Sequence, residues 1–236
     1  MIKETHPFLE LGKLSNATKL ILGSFPVYSI TLPDTEEKIK IRKSNGTAQF
    51  FYGSCYSSFW RLYHLYIDND LQIPFQLKNA LSSLSKNQIA ISDMILECER
   101  NGKSALDSDL KKRIYNTNML IEYLDNGVTN ILTTSKGVME MFHEKVAKKS
   151  NRIIFLEEKS KKWQEEIISN LNGDDLQIKK LFCRQYLFDG KKISLLSIPS
   201  PGSPQRQLKQ FGYSNGEWRE YANKYFEYAF KWLNKS

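Results

Sequence analysis

Asp93 is the carboxylate best placed for chemistry in this sequence, because it follows a short apolar run typical of a buried strand. That run covers residues 88–92, and in parallel sheets ligands bind outside the carboxyl ends of the strands. A carboxylate there could activate water or accept a hydrogen bond from an N–H group. A structural role is equally open, since Asp before an apolar run is a preferred helix N-cap.

Ser57 is the second candidate, and it stands just before a predicted amphipathic helix over residues 59–66. Its hydroxyl could position a water molecule, although serine is a poor base without an activating histidine. An N-cap for that helix is the alternative role. The local sequence therefore leaves both candidates open between chemistry and capping.

Two other predicted strand ends could lie beside Asp93. Residues 19–23 form a buried strand that ends in glycine and is followed by Ser24, Phe25 and Pro26. Residues 182–188 and 191–198 form a hairpin turned by Asp189-Gly190, and its second strand leads into Pro199-Ser200-Pro201-Gly202-Ser203. We expect these three strand ends to meet at one edge of a sheet and form one site.

The order of the remaining elements predicts the fold class. Residues 31–49 are polar and are predicted to be a surface loop with a basic segment at residues 38–43. Further strands are predicted at residues 128–133 and 151–156, and further helices at residues 105–124, 135–148, 159–170 and 217–233. Strands separated by helices indicate a three-layer α/β/α fold with a central, mostly parallel sheet, in a single domain over residues 1–236.

The composition favours a polyanionic partner. Lys and Arg total 34 against 26 Asp and Glu, a formal net charge of +8, and such an excess favours nucleic acid through phosphate neutralisation. Because no apolar run could span a bilayer and the first residues lack a signal-peptide core, we predict a cytoplasmic protein without membrane contact. The three cysteines are odd in number and far apart, so reduced thiols are expected, with no metal and no other cofactor.

Four segments, in this order along the chain, resemble the uracil-DNA glycosylase superfamily, and most closely its hypoxanthine/uracil-DNA glycosylase group. The first joins His6-Pro7-Phe8 to a Gly-x-x-Pro loop at residues 23–26, and the second runs from Phe51-Tyr52-Gly53 to Phe59-Trp60. The third joins the Asp93 strand to Cys98-Glu99-Arg100, in a strand-plus-helix unit, and to Leu106-Asp107-Ser108; the fourth is Pro199-Ser200-Pro201-Gly202-Ser203. Four motifs in the family's order are a fairly specific signal.

The resemblance implies a DNA glycosylase of base excision repair, which flips a deaminated base, uracil or hypoxanthine, out of DNA and hydrolyses its N-glycosidic bond. DNA is then the partner, no cofactor is required, and we expect a monomer. Carried over residue by residue, the resemblance places catalysis at Asp93 and Ser57, the base pocket at Gly23, Ser24, Phe25, Pro26 and Tyr52, and DNA contacts at Ser200, Pro201, Gly202, Ser203 and Arg206.

Three positions depart from the family's pattern. Phe25 stands where most members of the superfamily carry Asp or Asn, Ser57 where the hypoxanthine group carries Asn, and Ile198 where the uracil-specific branch carries His. These differences leave open a catalytically silent protein that binds DNA or a damaged base. A hydrolase of free nucleosides is a third hypothesis, and the basic segment at residues 38–43 and Arg206 favour DNA over it.

Overall fold

The computed structural model describes residues 2–54, 57–103, 106–171, 183–202 and 217–235, with side chains of the last range described from residue 223. Within these ranges the strands are β1 (Ile2–Thr5), β2 (Lys19–Gly23), β3 (Ile89–Asp93), β4 (Ile95–Arg100), β5 (Leu110–Tyr115), β6 (Asn130–Thr133), β7 (Ile153–Phe155), β8 (Cys183–Phe188) and β9 (Lys191–Ser197). The α-helices are α1 (Glu36–Asn45), α2 (Phe59–Tyr66), α3 (Leu77–Lys86), α4 (Thr117–Asp125), α5 (Lys136–Lys145), α6 (Glu157–Asn170) and α7 (Glu217–Lys235). None of these helices combines the length and apolar character that a membrane span requires.

The larger sheet brings the predicted strand ends to one edge. Its order is β3-β2-β6-β9-β8-β7, and the first four strands run parallel. Gly23 lies opposite Asp93, Leu22 opposite Thr133, and Thr133 opposite Ser197. The predicted hairpin is confirmed, because β8 pairs antiparallel with β9 around residues 189–190. The carboxyl ends of β2, β3, β6 and β9 therefore share one edge of the sheet, as predicted.

Helices cover both faces of this sheet. Alternate side chains of β2 point to opposite sides, so Ile21 belongs to one apolar core while Leu20 and Leu22 belong to the other. The first core is closed by helices α2, α3, α6 and α7, and the second by α4 and α5. The predicted three-layer α/β/α class with a mostly parallel central sheet is confirmed.

A second sheet replaces two predicted helical stretches. Strands β1, β4 and β5 form an antiparallel sheet, in which Ile2 lies opposite Arg100 and Arg100 lies opposite Leu110. The helix predicted over residues 105–124 is therefore wrong for its first half, and the strand-plus-helix unit after Asp93 is wrong because β4 follows. The cause is the pairing of β4 with the N-terminal strand β1 on one side and with β5 on the other, which local periodicity does not reveal.

The predicted surface loop at residues 31–49 is also wrong, because it contains helix α1. Its caps are regular: the Thr35 hydroxyl accepts from the amide of Lys38, and Gly46 adopts a left-handed φ of 62° after the last turn. The side chain that α1 buries is a lysine, Lys38, with 1% exposed. Because the residue that α1 buries is charged, the helix has no apolar stripe. Its hydrophobic pattern therefore does not predict a helix.

Candidate functional site

Asp93 and His6 form a buried pair at the shared strand edge. The residues are 4% and 6% exposed, and Nε2 of His6 lies 2.8 Å from Oδ2 of Asp93. The other ring nitrogen, Nδ1, accepts the amide N–H of Phe8 at 3.0 Å. Because Nδ1 is an acceptor, the imidazole proton that faces Asp93 lies on Nε2, and Nε2–H donates to Oδ2 of Asp93.

The His6 ring is held by aromatic neighbours. Its centroid lies 5.0 Å from Phe51, 5.8 Å from Phe25 and 6.1 Å from Phe8, and the last two contacts are edge-to-face. The backbone amide of His6 also donates to the carbonyl of Leu96 at 2.9 Å. These contacts fix the imidazole so that its N–H points at Asp93.

The second carboxylate oxygen of Asp93 is the most unusual atom of the site. Oδ1 is buried and makes no hydrogen bond of standard geometry to the residues that the structure describes, although the nearby Tyr52 hydroxyl interacts with the carboxylate and acts to lower its pKa. Burial raises the pKa of Asp93 above its ordinary value, while the His6 hydrogen bond opposes that shift. A buried acceptor without a partner costs roughly 1–3 kcal/mol, so it points to a ligand or water that binds there.

Gly23 creates the space into which this oxygen points. A Cβ atom at Gly23 would lie 2.1 Å from Asp93 Oδ1 and 2.1 Å from the hydroxyl oxygen of Tyr52. No side chain fits at such distances, so only glycine allows Asp93 and Tyr52 to converge over the end of β2.

Tyr52 is the third member of the site, and its backbone is strained. Its φ is 53°, in the left-handed region that a bulky residue rarely adopts. Its ring centroid lies 4.4 Å from that of Phe59, and its hydroxyl lies 3.3 Å from Oγ1 of Thr134. Burial and the neighbouring Asp93 charge raise the pKa of Tyr52 well above its usual value, so the phenol is neutral.

Ser24 connects the site to a second carboxylate, Asp107. Asp107 is half-buried and hydrogen-bonds to the Ser24 side chain, and burial raises its pKa. Its charge in turn contributes to the raised pKa of Asp93. The sequence showed Asp107 only as part of a motif, and it indicated no role for His6 or Thr134. The early His-Pro-Phe motif was the available signal for His6.

Ser57 is engaged in the N-terminal turn of α2. Its Oγ accepts the amide of Phe59, the first residue of α2, at 3.2 Å, while the N-cap position itself is Ser58, whose side chain makes no capping hydrogen bond. The next residue, Ser58, donates its hydroxyl to the carbonyl of Pro201 at 2.6 Å. The turn at residues 199–202 is thereby joined to the start of α2, with Ser200 half-buried and Gly202 exposed. Ser203 and Arg206 lie outside the described residues.

Two structural hypotheses from the sequence are corrected here. Asp93 caps no helix, because β4 begins two residues later. The basic segment at residues 38–43 is not a continuous phosphate track: Lys38 is buried, and Arg42 binds Asp34 and the carbonyl of Ser29. Of the basic residues of α1, Lys40 and Lys43 are exposed.

Metal and thiol chemistry have no visible site in the described part of the chain. No group of three or more His, Cys, Asp or Glu side chains there could hold a metal ion. Cys98 and Cys183 are buried free thiols, and burial raises their pKa values to about 11 and about 12. Both thiols are therefore protonated at neutral pH and are poor nucleophiles.

Comparisons with known proteins include a distant structural similarity. No protein-family model matches the chain, and no curated protein matches it. The chain is similar to a solution NMR structure described as "a putative Uracil DNA glycosylase from Methanosarcina acetivorans", at 19% sequence identity, 99% coverage of each chain and a TM-score of 0.49. The fold class rests on the strand topology described above, and the resemblance to the hypoxanthine/uracil group stays a prediction.

Proposed function

We propose that the protein is a DNA glycosylase that removes a deaminated base, uracil or hypoxanthine, from DNA. The observation that carries this proposal is the buried Oδ1 of Asp93, an acceptor without a partner among the described residues, at the shared end of the parallel strands. The order of the four sequence motifs agrees with it. Asp93, Gly23 and Tyr52 belong to three of these motifs, and they converge at one place.

The proposed mechanism uses the ionised form of Asp93, and that form determines which base edge the carboxylate accepts. His6 donates to Oδ2, so Oδ1 offers only lone pairs. Uracil and hypoxanthine carry a ring N–H beside a carbonyl, which complements this acceptor and a donating Tyr52 hydroxyl. Cytosine and adenine present an unprotonated ring nitrogen instead, which a carboxylate repels. Asp93 therefore favours deaminated bases over their parent bases.

The chemical step needs little more than a positioned water and donors to the departing base. The sugar becomes oxocarbenium-like while the base gains negative charge, so a carboxylate that orients water and a neutral phenol that donates to the base are suitable groups. Asp93 and Tyr52 supply these two groups. Ser57 can still donate its hydroxyl proton to that water while its oxygen accepts the Phe59 amide.

DNA as the substrate follows from charge. The chain carries a net charge of +8, and the exposed Lys40 and Lys43 on α1, together with Arg206 and the turn at residues 199–203, are the proposed phosphate contacts. A base within a duplex is unreachable, so the enzyme must extrude it into the site.

A catalytically silent binder is the second candidate, and one observation favours it. The Ser57 hydroxyl accepts the Phe59 amide and Phe25 packs on His6, so neither supplies the amide or carboxylate that relatives carry at these positions. Such a protein would bind a deaminated base through Asp93 without cleaving the bond.

Incubation with oligonucleotides separates the two candidates. Strands carrying uracil, hypoxanthine or xanthine, and matched strands with cytosine or adenine, would be incubated with the protein and then cleaved at abasic sites. We expect slow release of uracil or hypoxanthine and no release of cytosine or adenine. Specific binding without any base release would support the silent binder. If the protein neither bound these strands nor released a base from them, both candidates would be refuted.

A further inference from the structure

A buried charge cluster lies behind the loop that follows β2. Glu4, Lys38 and Arg100 are 0%, 1% and 3% exposed. One carboxylate oxygen of Glu4 accepts from Lys38 Nζ at 3.2 Å, and the other accepts from Arg100 Nε at 2.7 Å. The cluster joins β1, α1 and β4, three elements that contain none of the proposed catalytic residues.

Arg100 is the member of the cluster that reaches the functional site. Its guanidinium donates to the carbonyl of Pro26 at 2.7 Å and lies 5.6 Å from the centroid of the Phe25 ring. Phe25 in turn packs edge-to-face on His6, which donates to Asp93. A continuous series of contacts therefore runs from Arg100 to the carboxylate.

Lys38 is bonded differently although its charge and burial are the same. Its ammonium donates to the carbonyl and hydroxyl of Thr31 at 3.1 and 3.0 Å and lies 4.8 Å from the Tyr28 ring. None of the contacts recorded for Lys38 involves residues 23–26.

Stability alone does not account for two cations around one carboxylate. Buried ion pairs contribute little net stability because desolvation offsets their attraction. Removing either cation leaves Glu4 paired with the other, so the Glu4 carboxylate does not become an unpaired buried charge. The roles of Lys38 and Arg100 can therefore be compared directly by replacing each residue in turn.

We propose that Arg100 is a positioning residue, which holds the loop at residues 23–26 so that Phe25 keeps His6 aligned with Asp93. Its planar guanidinium binds Glu4 through Nε and the Pro26 carbonyl through a terminal nitrogen, whereas an ammonium group presents all its donors from one atom. The effect on base release rests on the proposed function, whereas the effect on His6 does not.

The test compares Arg100→Met with Lys38→Met, two variants that each remove one buried cation of the same cluster. Nitrogen-15 and proton NMR of the His6 imidazole reports its tautomer and surroundings, and replacement of His64 and His143 assigns the signals. We expect Arg100→Met to shift the His6 resonances and to slow base release by about 10–100-fold, since a misplacement of about 1 Å can cost two orders of magnitude. Lys38→Met should match the parent in both measurements.

Every outcome of this comparison either supports or overturns the positioning role of Arg100. Unchanged His6 resonances in Arg100→Met, or equal shifts in both variants, would overturn the positioning role. If the methionine variant does not fold, Arg100→Lys keeps the charge without the planar fork, and it should show the same His6 shift. A parent protein without base release would refute the proposed enzyme, while the NMR comparison would still decide the role of Arg100.

Discussion

His6 and Asp93 are 87 positions apart in sequence, yet their side chains lie 2.8 Å apart in the folded protein. The contact orients both side chains, because the Phe8 amide occupies the other nitrogen of the imidazole. One carboxylate oxygen of Asp93 is thereby paired with His6, while the other has no hydrogen bond to the described residues.

Asp93→Asn should abolish most base release while the fold and the affinity for DNA remain close to those of the parent. The Asn oxygen still accepts from His6, but the amide loses the anionic acceptor that orients water or reads the base. Losing one acid–base group typically costs about 10²–10⁴-fold in rate. Single-turnover assays of abasic-site formation measure the change. Equal rates for parent and variant would remove Asp93 from the mechanism.

Base release by the parent should fall as the pH is lowered through the raised pKa of Asp93. Burial raises that pKa above its ordinary value of 3.8, so the loss should begin at a higher pH than for an exposed aspartate. Rates measured from neutral to mildly acid pH give the profile. A rate that stays constant over the whole range in which the protein remains folded would contradict this prediction.

Asp93→Asn should also be more stable than the parent at neutral pH. The folded-state pKa of Asp93 is raised, so its favourable contribution to stability is present below the unfolded-state pKa and is lost as the pH rises through the folded-state pKa. The Asn variant avoids that loss. Denaturant unfolding should therefore show a stability difference that shrinks as the pH is lowered. A variant less stable than the parent at neutral pH would show that the ionised His6–Asp93 pair is stabilising overall.

Gly23→Ala should destabilise the protein and disrupt the site. The added methyl group would lie 2.1 Å from both Asp93 Oδ1 and the Tyr52 hydroxyl, and such overpacking typically costs about 1–3 kcal/mol. Gly202→Ala is the matched control for stability, because a Cβ atom there meets none of the described residues within 4 Å. Thermal unfolding of both variants gives the comparison. Similar losses in the two would show that the crowding over Gly23 is relieved by movement of its neighbours.

DNA affinity should fall steeply with salt, with a log–log slope of roughly −0.9 for each phosphate contact. Arg206→Ala and Lys43→Ala should each reduce the slope by about one unit if these side chains bind phosphates. Lys38→Met serves as the control, because Lys38 is 1% exposed and cannot contact DNA. Fluorescence anisotropy with a labelled oligonucleotide over a range of salt concentrations measures the slopes. Binding that does not respond to salt would point to nucleosides or to a protein partner.

The sequence by itself determined the α/β class and the shared edge of the strands. Buried strands such as residues 19–23 and 89–93 are largely apolar and end in Gly or Asp. This pattern can be read from neighbouring residues without knowledge of the rest of the fold. The hairpin at residues 189–190 was equally local, since Asp-Gly turns are specified by their own backbone preferences.

Only the tertiary structure decided what surrounds Asp93. The capping hypothesis depended on a following helix, and β4 replaced that helix because β1 and β5 pair with it. Lys38 was expected on the surface and is instead buried against Glu4, because an ion partner distant in sequence offsets part of its desolvation cost. His6 acquired its role in the same way. Burial, pairing and pKa depend on contacts across the fold, which no local pattern of residue types records.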